Sequence, residues 1–188
     1  MKIIILIIIL ISFPAYSNQE DPSKFIGNII EKSKPALKNK NKDHLEKIME
    51  QYLDFNEIAI WISGKSMWTK AAENEKLKFL TEIKKLMLKT YSKTVYYYID
   101  SDVTFLTPKS SNNNTNIQKR LQISSVMKKN NKNVNISYRL IKHDKSWLVF
   151  DVIIEGISIL KSLKTQYSDM IKIKGLEYTT NKIKLLNE

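Results

Sequence analysis

The chain has 188 residues, 43% hydrophobic and 27% charged, which suits one domain with a sizeable core and a charged surface. It has no cysteine, which excludes lipoprotein attachment, disulfides and a thiolate zinc site. A formal net charge of +12 leaves two readings, an anionic partner or a solvated, lysine-rich surface.

Lys2, the unbroken apolar run from Ile3 to Ile11, and Ala15-Tyr16-Ser17 with small residues at the −3 and −1 positions have the layout of a secretory signal peptide. The run falls short of the about 20 apolar residues that a membrane span needs. The expectation is cleavage after Ser17, with 18–188 as a single exported domain. Cleavage removes one charge, Lys2, and leaves 30 basic against 19 acidic residues. On an exported protein that excess fits an anionic headgroup or membrane surface better than nucleic acid.

Asp21-Pro22 reads as an N-cap and a first helical position, with Phe25, Ile26, Ile29 and Ile30 on one face and an end or a bend at Pro35. Asn41 or Asp43 caps a second helix with Leu45, Ile48, Met49, Tyr52 and Leu53 at helical spacing. Asp54-Phe55-Asn56 is a break and a fresh cap for a short third helix ending at Gly64. The longest helix is predicted from about Ala71 to Ile99. It carries a stripe of Leu80, Ile83, Met87, Tyr91, Val95 and Tyr98, wide enough to face a core, a cavity or both.

After Asp100 the apolar period becomes two. Val103 and Phe105, then Leu121 and Ile123, then Val134, Ile136, Tyr138 and Leu140, then the run from Trp147, mark three or four antiparallel strands. Pro108 to Asn116 reads as a loop, and Asn130–Asn133 and His143–Ser146 as turns. Gly156 turns the chain, Ser158 caps a helix that ends at Gly175, and a last short helix covers Leu176–Leu186. Trp61, Trp68 and Trp147 are assigned to the core.

No catalytic constellation is legible. His44 and His143 read as surface residues, and the four glycines are too scattered for a phosphate loop. Asp151 and Glu155 stand four apart and have the residue types of an acid–base pair. Anchoring of the strand end and turn or cap hydrogen bonds is the commoner use of such carboxylates.

Five segments in order resemble the Mla periplasmic phospholipid-binding family, also called the toluene-tolerance family. They are Asp54-Phe55 through Ile60 with Gly64 and Trp68, Leu80 and Ile83 with Thr90-Tyr91 and Tyr98, Tyr138 with Trp147 and Asp151, Glu155-Gly156-Ile157-Ser158, and Gly175-Leu176-Glu177. Two departures are visible: Lys164 and Gln166 stand where many members carry Arg, and Leu80 and Ile83 where Phe is frequent.

The resemblance implies an α+β fold, a strongly curved antiparallel sheet packed on helices in a nuclear-transport-factor-like cone with an apolar lipid pocket. It implies a non-enzymatic periplasmic carrier with phospholipid as cargo and no cofactor. Its partners would be an outer-membrane lipoprotein–porin complex and the substrate-binding ring subunit of an inner-membrane ABC transporter, maintaining outer-membrane lipid asymmetry. The stripes above supply the candidate lipid-binding residues: Leu80, Ile83, Met87, Tyr91 and Val95 from the helix, and Val103, Phe105, Ile123, Ile136, Tyr138, Val149, Val152 and Ile154 from strands. Each suits a packed core equally well. Lys161 or Lys164 is a candidate headgroup neighbour. Two alternatives stay open: an exported small-molecule enzyme on the same cone-like fold, using Asp151 with a tyrosine such as Tyr138, and a surface-adhesive protein exploiting the basic charge.

Overall fold

The computed structural model describes residues 21–98, 100–106, 119–144 and 146–188. The predicted signal peptide, the 108–116 loop and the predicted helix end at Ile99 lie outside them.

Short polar side chains set the helix starts. Asp21 accepts the Ser23 N–H at 2.9 Å and opens α1 (Pro22–Lys38). Asn41 accepts the His44 N–H at 2.9 Å and opens α2 (Lys42–Tyr52). Asp54 accepts the Glu57 N–H at 2.9 Å and opens α3 (Phe55–Ser63). Pro35 does not end α1, which runs on to Lys38. It forfeits one helical hydrogen bond, but the buried Ala36 and Leu37 hold the last turn, and Asn39 N–H closes on the Pro35 carbonyl at 3.1 Å.

Two glycines act as one-residue joints. Gly64 links α3 directly to α4 (Lys65–Lys70), a turn of helix that the sequence reading did not anticipate. Gly175 links α6 (Ile159–Lys174) to α7 (Leu176–Asn187). Their φ/ψ of 83°/140° and 88°/169° fall where only glycine sits without strain. A Cβ at Gly175 would meet no atom within 4 Å, so Gly175→Ala isolates the backbone cost. The expected loss is about 1–3 kcal/mol of unfolding free energy by urea titration. An unchanged midpoint would show that the joint relaxes freely.

α5 (Glu73–Tyr98) leads into the sheet of β1 (Asp102–Phe105), β2 (Arg120–Lys129), β3 (Lys132–His143), β4 (Ser146–Ile154) and β5 (Ile157–Ser158). The strands form an open antiparallel meander in the order β1-β2-β3-β4-β5. The architecture is therefore α+β, with seven helices and five strands among the described residues. Asn130 and Asn131, at φ of 49° and 61°, make the two-residue turn between β2 and β3. Glu155 and Gly156, at φ of 49° and 80°, make the turn into β5. Two residues are too few to show a period, which is why the fifth strand is not legible in sequence.

The helices and sheet enclose two cores. One joins α3, α6, α7 and the N-terminal half of α5 through Ile62, Phe79, Ile83, Ile171 and Ile183. The other joins α1 and α2 to β2, β3 and β4 through Ile26, Ile48, Ile136, Leu140 and Trp147. Trp61 corrects a sequence expectation: it is 38% exposed, donates its indole N–H to Glu57 at 2.8 Å and lies under Lys164 Nζ at 5.3 Å. α3 already fills its core face with Ile58, Ala59 and Ile62, and the indole at the edge of that face finds its polar partner at the surface.

Candidate functional site

Between one face of the sheet and α1, α2 and the C-terminal half of α5 lies a cavity of about 250 Å³. Ile26, Ile29 and Ile30 of α1 and Ile48, Met49 and Tyr52 of α2 form one wall, while Met87, Tyr91 and Val95 of α5 form another. Met127, Ile136, Tyr138, Val149, Val152 and Ile154 form the sheet wall. Among the described residues no charged side chain lines it.

Of the polar residues on the walls, Ser33, Tyr52 and Tyr138 have hydrogen-bond partners of their own. Ser33 Oγ donates to the Ile29 carbonyl at 2.7 Å, and Tyr52 Oη accepts from Lys32 Nζ at 2.6 Å. Burial raises the Tyr138 phenol above its ordinary value, against a smaller opposing effect of its Ser125 hydrogen bond. Burial likewise raises the Tyr91 phenol, and the Asp151 carboxylate adds to that rise. Both phenols remain neutral at physiological pH.

One backbone irregularity shapes the sheet wall. In a regular strand, residues three apart face opposite sides, yet Val149 and Val152 both line the cavity. The β3–β4 register steps from Arg139↔Asp151 to Leu140↔Val149, so Phe150 is the extra residue of a bulge. Val149, Val152 and Ile154 thus share the cavity face, while Phe150 packs into the helical core. The Leu53 bridge to Val149, with Asp54 N–H donating to the Val149 carbonyl at 2.8 Å, ties the α2–α3 junction to β4 beside the bulge.

Of the thirteen candidate residues, Met87, Tyr91, Val95, Ile136, Tyr138, Val149, Val152 and Ile154 surround the cavity. Leu80 and Ile83 do not: α5 is 26 residues, about 39 Å long, and these two belong to the half packed in the helical core. Ile123 is buried in the sheet-side core, and Val103 and Phe105 pack against that core from β1, outside the cavity wall. The α1 and α2 residues of the wall were recognisable in sequence as apolar stripes, but a stripe does not say whether it meets protein or a void. Trp147 is core, and Lys164 sits over Trp61 rather than at the cavity.

The carboxylates take the anchoring role. Asp151, 3% exposed, accepts the Leu160 N–H at 3.0 Å, the Ser158 hydroxyl at 2.7 Å and Arg139 Nη1 at 3.2 Å. It thereby holds the start of α6, where Ser158 in turn accepts the Lys161 N–H. Glu155 accepts the Asn135 N–H across the turn. Asp151 faces Arg139 while Tyr138 faces the cavity, so the sheet separates that pair of the enzymatic alternative, and the tyrosine within reach of the Asp151 charge is Tyr91. His143 sits at its predicted turn with Nε2 2.6 Å from Asp54 Oδ2, beside the α3 cap. Among the described residues no cluster of three or more His, Cys, Asp or Glu is placed to hold a metal ion, and no helix is long and apolar enough to cross a membrane.

The described residues thus form an open α+β meander with an apolar cavity under its helices. The family model of the MlaC protein matches residues 23–184, and the chain belongs to that family. Among solved structures it is similar to a phospholipid-binding protein from Ralstonia solanacearum in complex with a phospholipid. The TM-score is 0.68 and the identity 18%, covering 86% of this chain and 95% of that one, which shows a shared fold. No curated protein matches.

Proposed function

We propose that the chain is a periplasmic phospholipid carrier, exported by residues 1–17 and folded as one domain over 18–188. It holds acyl chains in the cavity and shuttles lipid between an outer-membrane lipoprotein–porin complex and the ring subunit of an inner-membrane ABC transporter, maintaining outer-membrane lipid asymmetry. The protein is not an enzyme and uses no cofactor; phospholipid is cargo. The sheet itself is an open meander, neither closed nor strongly curled, unlike what the resemblance implies, and a nuclear-transport-factor-like cone is part of this proposal alone.

The observation that carries this reading is a cavity with apolar walls, no charge and neutral phenols. Each methylene withdrawn from water contributes about 0.8 kcal/mol, so a lipid with roughly thirty of them needs such a wall to cross an aqueous space. The 250 Å³ of the cavity sits just under the roughly 300–1,000 Å³ of common ligand sites. The cargo's headgroup stays outside, in water. The Ralstonia protein's phospholipid and membership of the MlaC family support the cargo assignment.

Native mass spectrometry of the mature protein purified from bacterial cells tests the reading. The expected spectrum contains an added mass matching phospholipid that dissociates on activation. A chain that is always lipid-free, and that takes no lipid from vesicles, would refute it.

A further inference from the structure

The cavity opens where α5 ends. Val95 lines it yet is 43% exposed, and the next two residues, Tyr96 and Tyr97, are 46% and 49% exposed. A solvent-facing last turn ordinarily carries Lys, Arg or Glu; this one carries four consecutive apolar or aromatic residues, Val95 to Tyr98, and no charge. Tyrosines with the ring half-exposed suit a boundary between water and hydrocarbon, where the ring is buried and the hydroxyl stays wet.

Basic residues surround the same end of the fold. The β2–β3 turn places Lys128, Lys129 and Lys132 together. Lys129 Nζ lies 4.5 Å from the centre of the Tyr97 ring and donates to the Tyr97 carbonyl, which fixes that turn beside the α5 terminus. Lys93 adds an exposed cation one turn earlier on α5. Two of the carboxylates at this end have partners of their own: Asp100 pairs with Lys38 at 3.0 Å and Glu155 accepts from Asn135, while Asp102 stands opposite Lys128 in the β1–β2 register.

We propose that this rim, Val95-Tyr96-Tyr97 ringed by Lys93, Lys128, Lys129 and Lys132, docks the cavity mouth on an anionic bilayer surface. The charge selects the occupant: a cationic ring around a small aromatic patch complements anionic headgroups over hydrocarbon, and one basic residue near such a surface is worth about 1 kcal/mol, or about fivefold in partitioning. The inference rests on the carrier reading, since it gives the cavity direct access to its cargo.

Flotation with vesicles, read alongside the lipid content of the purified protein, tests it. The wild type is expected to float with phosphatidylglycerol-containing vesicles at low salt, to be released at high salt, and to ignore pure phosphatidylcholine. Tyr96→Ser with Tyr97→Ser, and separately Lys128→Glu with Lys132→Glu, should each weaken flotation at least tenfold with circular dichroism unchanged. Equal binding to phosphatidylcholine, undiminished flotation of the variants, or a wild-type dimer abolished by the tyrosine variant would overturn the docking. A lipid-loaded wild type that never floats overturns the docking and leaves the carrier standing. Flotation by a chain that never holds lipid does the reverse.

Discussion

Asp151→Ala is expected to cost about 3 kcal/mol of unfolding free energy. The carboxylate lies in the protein interior with three donors converging on it: the Leu160 N–H, the Ser158 hydroxyl and Arg139. Hydrogen bonds to a charged acceptor contribute about 1.5–3 kcal/mol each, and a buried N–H left without a partner costs about 1–3 kcal/mol more. The contributions are not additive, and Arg139 is 40% exposed, so water replaces its partner at little cost. The sum settles near the loss of the buried N–H and hydroxyl bonds. Asp151→Asn keeps an acceptor for Leu160 and is expected to lose about half as much. Urea denaturation of both variants checks the order. Equal losses would point to charge, and negligible losses would remove Asp151 as the anchor of α6.

Val152→Trp is expected to weaken cargo binding roughly 30- to 150-fold while leaving the chain folded. Val152 lines the cavity and is only half-buried, so an indole there projects into open volume rather than into packed atoms. Displacing three or four methylenes of cargo removes about 2–3 kcal/mol of binding, roughly 30- to 150-fold in affinity. Overpacking adds about 1–3 kcal/mol against the native fold, within the reserve of an ordinary domain. Extraction of a fluorescent phospholipid from vesicles measures uptake, and far-ultraviolet circular dichroism measures folding. Ile153→Trp on the same strand, outside the cavity lining, is the control. Undiminished uptake by a folded Val152→Trp protein would place the cargo elsewhere.

The two substitutions probe opposite faces of one run, Trp147 to Ser158, and sequence alone did not separate those faces. Regular alternation from Val149 would put Val152 and Ile154 on the opposite side. The bulge at Phe150 restores all three to one side and turns Phe150 toward the helical core. A bulge is a backbone choice made by what packs on each face, here α6 on one side and the cavity on the other. No residue type announces it.

Local chemistry was legible wherever neighbours in sequence determine it. Asp21, Asn41, Asp54 and Ser158 cap the helices they were expected to cap, because the donor lies two or three residues from the acceptor. Gly64 and Gly175 end helices because their backbone angles exclude a Cβ. Period-two alternation gave β2 and β3 with their shared turn. Dense apolar stripes on α1, α2 and α5 were legible too, since burial needs only their spacing.

Tertiary structure alone decided which stripe meets protein and which meets a void. Hydrophobic burial is non-directional: it rewards removal from water without naming what does the removing. Ile83 and Tyr91 belong to one stripe of one helix, yet Ile83 is sealed in the helical core and Tyr91 lines the cavity, because α5 outruns the helices packed on its first half. The exposed end of that helix, with its tyrosines beside the β2–β3 lysines, likewise exists only once the chain is folded. Sequence set the class of fold, the caps and the apolar inventory. Three-dimensional packing distributed that inventory between two cores and an open cavity.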